Sequence, residues 1–286
     1  MKTSDISDPL FLEAVEAIDS GNISQLQSLL QTNPQLITNR LDKPTEGYFK
    51  QPYLLWFIAN NPIRIEKVPA NIIEITGLLI KSARQNAPES FQEQIGYTLG
   101  LVESGRIVRE CGVQIGLIDL LIDSGAKPGN AQAALAHGNI EAARHIIERS
   151  GQITLTAAVC LDRIEDANSL LDEVSMDEKQ VALIAAAFYG KPDMTTLLIT
   201  SGVDVNVFID HGFHTHASAL HQAVQSGSLE TVKLLIQAGA DTDARDKVFD
   251  GTPLDWASHM QEEENDENLK KKYKKIENYL LEISRL

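Results

Sequence analysis

The sequence predicts an all-α solenoid of about eight short helix–turn–helix units, closed by a longer C-terminal capping helix. Three observations predict it. Apolar positions at helical spacing recur with a glycine between two short helices. Aromatic residues make up only 6% of the chain, which suits thin helical layers better than a thick β core. The last twenty residues carry one apolar stripe among lysines.

The clearest unit is ASALHQAVQSGSLETVKLLIQAGADTDARD, residues 217–246. Leu220, Ala223 and Val224 fall at i, i+3 and i+4, one face of a helix. Gly227 ends that helix, because glycine adopts the left-handed conformation a C-cap needs. Ser228 can cap the next helix, whose face is Val232, Leu235 and Ile236, and Gly239 closes it.

The same template slides along the chain. Gly190 aligns with Gly227, with Leu183, Ala186 and Ala187 before it, Leu197, Leu198 and Ile199 after it, and Gly202 closing. Pro192 stands at a helix start, where a missing N–H is harmless. Gly138 aligns with Ala131, Ala134, Leu135, Ile146 and Ile147 around it. A shorter unit holds Leu155, Ala158, Val159, Leu170 and Leu171. Ala14, Ala17, Ile18, Gly21, Leu29 and Leu30 fit near the N-terminus, and Leu254, Ala257 and Ser258 restart the pattern in DGTPLDWASHM.

The strings SALHQAVQSGSLETVKLLIQAGADTDARD and DGTPLDWA resemble ankyrin repeats, which carry a T-P-L-H-x-A-A stretch, a central glycine and a closing L-L-x-x-G-A. The match is strong over roughly 180–260 and degenerate but periodic elsewhere; the whole chain is similar to bacterial ankyrin-repeat proteins. The resemblance implies L-shaped units with projecting finger loops. The expectation is a single array over 1–286, with units at 8–39, 50–84, 92–126, 130–151, 153–174, 179–206, 217–246 and 250–286.

Two units depart from the pattern. The second has helices expected at Tyr53–Ala59 and Asn71–Ala83, separated by the long NNPIRIEKVPA. The third has helices expected at Gln94–Val102 and Val113–Asp123, separated by ESGRIVRECG. At the C-terminus, Leu269, Tyr273, Ile276, Leu280 and Ile283 form the stripe of the capping helix, since an end repeat must hide one face and show a polar one.

The formal net charge is −15, which repels nucleic acid and anionic membranes and favours a basic partner. Two cysteines, Cys111 and Cys160, give no disulfide framework. The N-terminus lacks a signal pattern and no run reaches membrane-span length, so a cytoplasmic location is expected. No nucleophile elbow, phosphate loop or dinucleotide fingerprint is present, so neither an enzyme nor a cofactor is expected. Cys111 precedes Gly112 at the mouth of a helix, without a base or oxyanion donor to go with it.

The architecture implies a protein-interaction module, a scaffold or an inhibitor, that holds its partner on the surface of first helices and fingers. Two segments offer anchors. In DKPTEGYFKQPYLLWF, Tyr48, Phe49, Tyr53 and Trp56 cluster, either to meet a partner or to fold back as a lid. In VFIDHGFHTHASALH, Phe213, His214 and His216 are the candidates. This segment holds four of the seven histidines, and His211, His214 and His216 carry the alternative reading, a metal- or ligand-responsive sensor over 211–221. The resemblance places His221 in the motif's His position, where it orders the finger by hydrogen bonding.

Overall fold

A computed structural model describes residues 5–284. Among them there are seventeen α-helices, one 3-10 helix and no strand. The chain divides into two compact units, one ending at Gly151 and the other beginning at Gln152.

The first unit contains four helix pairs. α1 (Pro9–Asp19) and α2 (Ile23–Thr32) form the first, followed by the single turn α3 (Gln35–Thr38). A 3-10 helix (Leu54–Ala59) pairs with α4 (Ile72–Asn86). α5 (Phe91–Glu103) pairs with α7 (Gln114–Asp123), with α6 (Arg106–Glu110) between them. α8 (Gln132–Ala136) pairs with α9 (Ile140–Ser150). First helices pack in one row, α1 on the 3-10 helix, then α5, then α8; α2, α4, α7 and α9 pack in a second.

The second unit repeats the plan with α10 (Leu155–Cys160) and α11 (Ile164–Leu171), α12 (Met176–Phe188) and α13 (Pro192–Thr200), α14 (Ala219–Gln225) and α15 (Leu229–Gln237), and α16 (Pro253–Glu263) and α17 (Glu267–Ile283). α10, α12, α14 and α16 make one row, while α13, α15 and α17 make the other.

Local chemistry explains the ends. Asp8, Thr154, Ser218 and Ser228 each accept a backbone N–H of the first turn that follows. Ser175 with Glu178, and Thr252 with Asp255, form capping boxes. Gly190 has φ +59°, and a Cβ there would stand 2.9 Å from Ser226 and Ser228, so only glycine lets these pairs stack closely. Ala182, Ala185, Ala186 and Ala187 of α12 are all buried, as a helix packed between neighbours on both sides requires. α17 buries Tyr273, Ile276 and Leu280, and the Tyr273 hydroxyl donates to Gln225 O at 3.0 Å.

Three departures from expectation lie in the first unit. The expected first helix at Tyr53–Ala59 is a 3-10 helix, ended by Asn60 in the left-handed region. ESGRIVRECG is not an open connection but contains α6, with Cys111 at its C-cap and two residues before Val113, the N-cap of α7. NNPIRIEKVPA folds back on the core. Asn60 Oδ1 accepts from the backbone of Arg64 and Ile65. Arg64, buried over the Phe57 ring, donates to both carboxylate oxygens of Asp19 and to Phe57 O.

Glu103, at the end of α5, is buried, and burial pushes its carboxyl up to about 7. The folded state prefers the protonated form. Stability present in acid is therefore lost as pH rises from the ordinary carboxylate range through about 7. Glu103→Gln is expected to stabilise the protein by on the order of 3 kcal/mol at pH ~8 and to change little at pH ~4. Thermal melts of both proteins at the two pH values test this.

Candidate functional site

The 42–57 loop folds back against the 3-10 helix. Phe49, Tyr53 and Trp56 are buried, and only Tyr48 presents its ring, 58% exposed. Of the two readings of this segment, Phe49, Tyr53 and Trp56 follow the folded-back one as a packed aromatic cluster, and Tyr48 alone stays available to a partner. Phe49 meets Phe57 edge-on at 5.2 Å, and Tyr53 meets Trp56 edge-on at 5.6 Å. The Arg40 guanidinium covers Tyr53 and pairs with Glu93. The physical reason is area: a buried aromatic gains far more from packing than a loop tip can offer in water.

Tyr48 opens onto a groove of about 530 Å³, bounded also by Asn61, Gly96, Tyr97, Gly100, Leu101, Ser104, Ala133 and His137. Tyr97 stacks on Trp56 at 4.1 Å and donates its hydroxyl to Tyr48 O. Tyr48 donates to Asn61 Oδ1 at 2.9 Å, and Asn61 Nδ2 donates to Leu101 O and Ser104 Oγ. The polar atoms of the wall satisfy each other. Gly96 and Gly100 lie inside α5, and a Cβ at either meets no atom within 4 Å. Each costs the helix about 1 kcal/mol relative to alanine, and neither backbone strain nor close packing requires it.

In the second unit, two loops face each other, 202–218 and 239–252. Asn206 donates to Gly239 O and accepts from Asp241 N; Lys247 N donates to His216 O. His221 is fully buried. Its Nε2–H donates to Gly251 O at 3.0 Å, so Nδ1 accepts from the Ser218 hydroxyl at 2.7 Å. Burial lowers its basicity and keeps it neutral, matching the ordering role the resemblance implied.

Phe213 is fully buried against Phe188, which removes it from any contact surface. His214 stacks on Phe188 at 4.3 Å, whereas His216 lies parallel to Trp256 at 6.0 Å. His211 bridges Asp210 and Asp177, which raise its pKa, the hydrogen bond it donates to Asp210 most. His214 and His216 also meet each other edge-on, ring centroids 6.1 Å apart, while His211 stays with its two aspartates. Among the described residues no group of three or more His, Cys, Asp or Glu side chains is placed to hold a metal. The Cys160 thiol is buried, which pushes its pKa up and away from reactivity.

Sequence reasoning missed the tip of the second loop. Asp246 is buried and accepts from the backbone N–H of Val248, Phe249 and Gly251 and from the Trp256 indole at 3.0 Å. Against the cost of burial, these donors hold its carboxyl down at about 2. The turn they fix presents Val248 at 63% and Phe249 at 76% exposure, and Val207 is exposed on the facing loop. Asp204, Asp210, Asp241, Asp243 and Asp250 are exposed on the same two loops. The signal in the sequence was a lone aromatic inside the polar turn DKVFDG.

Stacked short helix pairs with ordered projecting loops define a repeat protein whose surface is its working part. The family model described as ankyrin repeats (3 copies) matches residues 110–246 and 183–276, together more than half of the chain. The chain belongs to the ankyrin-repeat family, whose repeats are protein-interaction modules. It is also similar to ankyrin repeat and SOCS box protein 6 of Mus musculus, 37% identical over 81 residues. That match covers 28% of this chain and 19% of the mouse protein. Among the described residues no helix is long and apolar enough to cross a membrane.

Proposed function

We propose that this chain works as a scaffold or inhibitor that holds a basic segment of a partner protein on its 202–218 and 239–252 loops. One observation carries the reading: Phe249 stands 76% exposed on a turn that the buried Asp246 makes rigid. An exposed aromatic on a hydrogen-bonded backbone turn loses less entropy on binding than one on an open loop and offers the anchor of a contact hot spot. The exposed carboxylates around it select a partner of opposite charge. The protein works in a reducing compartment such as the cytoplasm, consistent with two unpaired thiols.

The test is affinity capture from source lysate at low and high salt, with quantified binding of the captured protein. Phe249→Ala is expected to weaken binding at least about tenfold with an unchanged melting temperature. Salt should weaken the wild-type complex through screening. Equal capture by both baits would exclude the loops as the docking surface.

A further inference from the structure

α17 closes the second unit and shows solvent a face that capping does not explain. Five of the six residues from 270 to 275 are lysines, in a chain of net charge −15. Lys271, Lys272, Lys274 and Lys275 are exposed on either side of the buried Tyr273. An end repeat needs a polar outer face, and mixed charges supply one without self-repulsion. Here Lys270 repels Lys274 and Lys271 repels Lys275, one turn apart, which works against the helix. The macrodipole favours cations in the last turn, and no basic residue stands there. Among the described residues only Lys274 of the five has an ion-pair partner, Glu277 at 2.6 Å. In the acidic run before the helix, Glu264 and Asp266 turn to backbone N–H groups of that run and of α17 instead.

The same unit carries the complementary surface. The 202–218 and 239–252 loops expose Asp204, Asp210, Asp241, Asp243 and Asp250, together with Phe249. The cations of the second loop are engaged: Arg245 pairs with Asp250, and Lys247 lies over the Phe208 ring. Within one molecule the ion pairs of these aspartates go to His211 and Arg245, not to α17. Lysine also suits Phe249. The chain already sets Lys233 over Tyr279 at 5.2 Å and Lys247 over Phe208 at 5.4 Å, where the ring face attracts a cation.

We infer that the basic segment received by these loops belongs to a second copy of this chain, whose α17 lysines dock on the aspartates and Phe249. The inference rests on the loop surface proposed above and names its partner. One contact engages both surfaces; a nucleic acid or an anionic membrane would engage the lysines alone and leave the acidic loops unmatched. The two patches differ, so the contact is heterologous and copies add head to tail. Both copies are net negative, and the attraction acts only between facing patches, within a Debye length of ~8 Å at physiological salt. The contact is therefore transient and salt-sensitive.

Sedimentation velocity of the purified chain from about 10 μM to about 1 mM tests it. Lys271→Glu with Lys275→Glu removes one surface. Asp210→Lys with Asp243→Lys removes the other, at exposed side chains whose only polar partner is His211, on Asp210. Wild type is expected to associate as concentration rises, and at least about tenfold more weakly in ~0.5 M salt, an arm that needs no variant. Each double variant alone should associate at least about tenfold more weakly than wild type in low salt. Their equimolar mixture should recover a 1:1 complex, because the loops of the first and α17 of the second are intact. Both variants stay net negative, so overall charge does not draw them together. A wild type that remains monomeric over this range overturns the inference. So does association that survives either double variant or high salt. A mixture that fails to associate overturns it too, since that marks a symmetric contact. A monomeric chain whose Phe249→Ala bait still loses a basic protein keeps the loop surface and loses only its assignment to a second copy.

Discussion

Replacing Arg64 by alanine is expected to destabilise the first unit by about 3–5 kcal/mol. Its guanidinium is almost wholly buried, with the Asp19 carboxylate as its ion-pair partner at 2.8 Å. Removing the cation leaves Asp19 largely buried without a counter-charge, and it frees the Phe57 carbonyl that Arg64 also satisfies. The 60–70 segment loses its only ion pair to the core among the described residues. The two tryptophans make the measurement direct, because Trp56 lies in the first unit and Trp256 in the second. Urea unfolding of a Trp256→Phe background follows the first unit alone. The double variant Asp19→Leu with Arg64→Leu should recover most of the loss, since no orphaned charge remains. A single-variant loss below about 1 kcal/mol would mean that the pair behaves as a surface salt bridge.

Asp246→Ala has the next largest expected effect, about 3–5 kcal/mol on the second unit, followed by Trp256 fluorescence in a Trp56→Phe background. Three backbone donors and one indole lose their shared acceptor at once. Partner binding should fall as well, because the turn that aims Phe249 comes loose. Phe249→Ala, by contrast, should reduce binding alone. The pH dependence has a fixed sign. The carboxyl titrates lower when folded, so its stabilisation is present above the ordinary carboxylate range and is lost as pH falls through about 2. A wild-type latch that opens near pH ~5 would contradict this account.

The periodic part of the molecule was legible because a helix face is a local pattern. Leu183, Ala186, Leu220, Ala223, Val224, Val232 and Leu235 were chosen by spacing alone, and all are buried. The Asp19–Arg64 pair was not legible: its partners lie 45 positions apart, and no periodicity links them. The aromatic cluster was visible as a cluster, but its burial depended on a loop long enough to fold back. The histidines show the same limit. His211, His214 and His216 are neighbours in sequence, yet only His214 and His216 meet, against Phe188 and Trp256, while His211 turns to Asp177. Phe249 escaped notice because a single aromatic between Val248 and Asp250 makes no repeat. Only the donors gathered on Asp246 reveal that its turn is rigid.

The most direct measurement is photo-crosslinking of the captured partner from a benzoyl-phenylalanine placed at position 249, with a second probe at position 196 on α13. The account predicts crosslinks from 249 into a lysine- or arginine-rich segment, and none from 196. Crosslinks from 196 alone, or equally from both, would contradict docking on the finger loops.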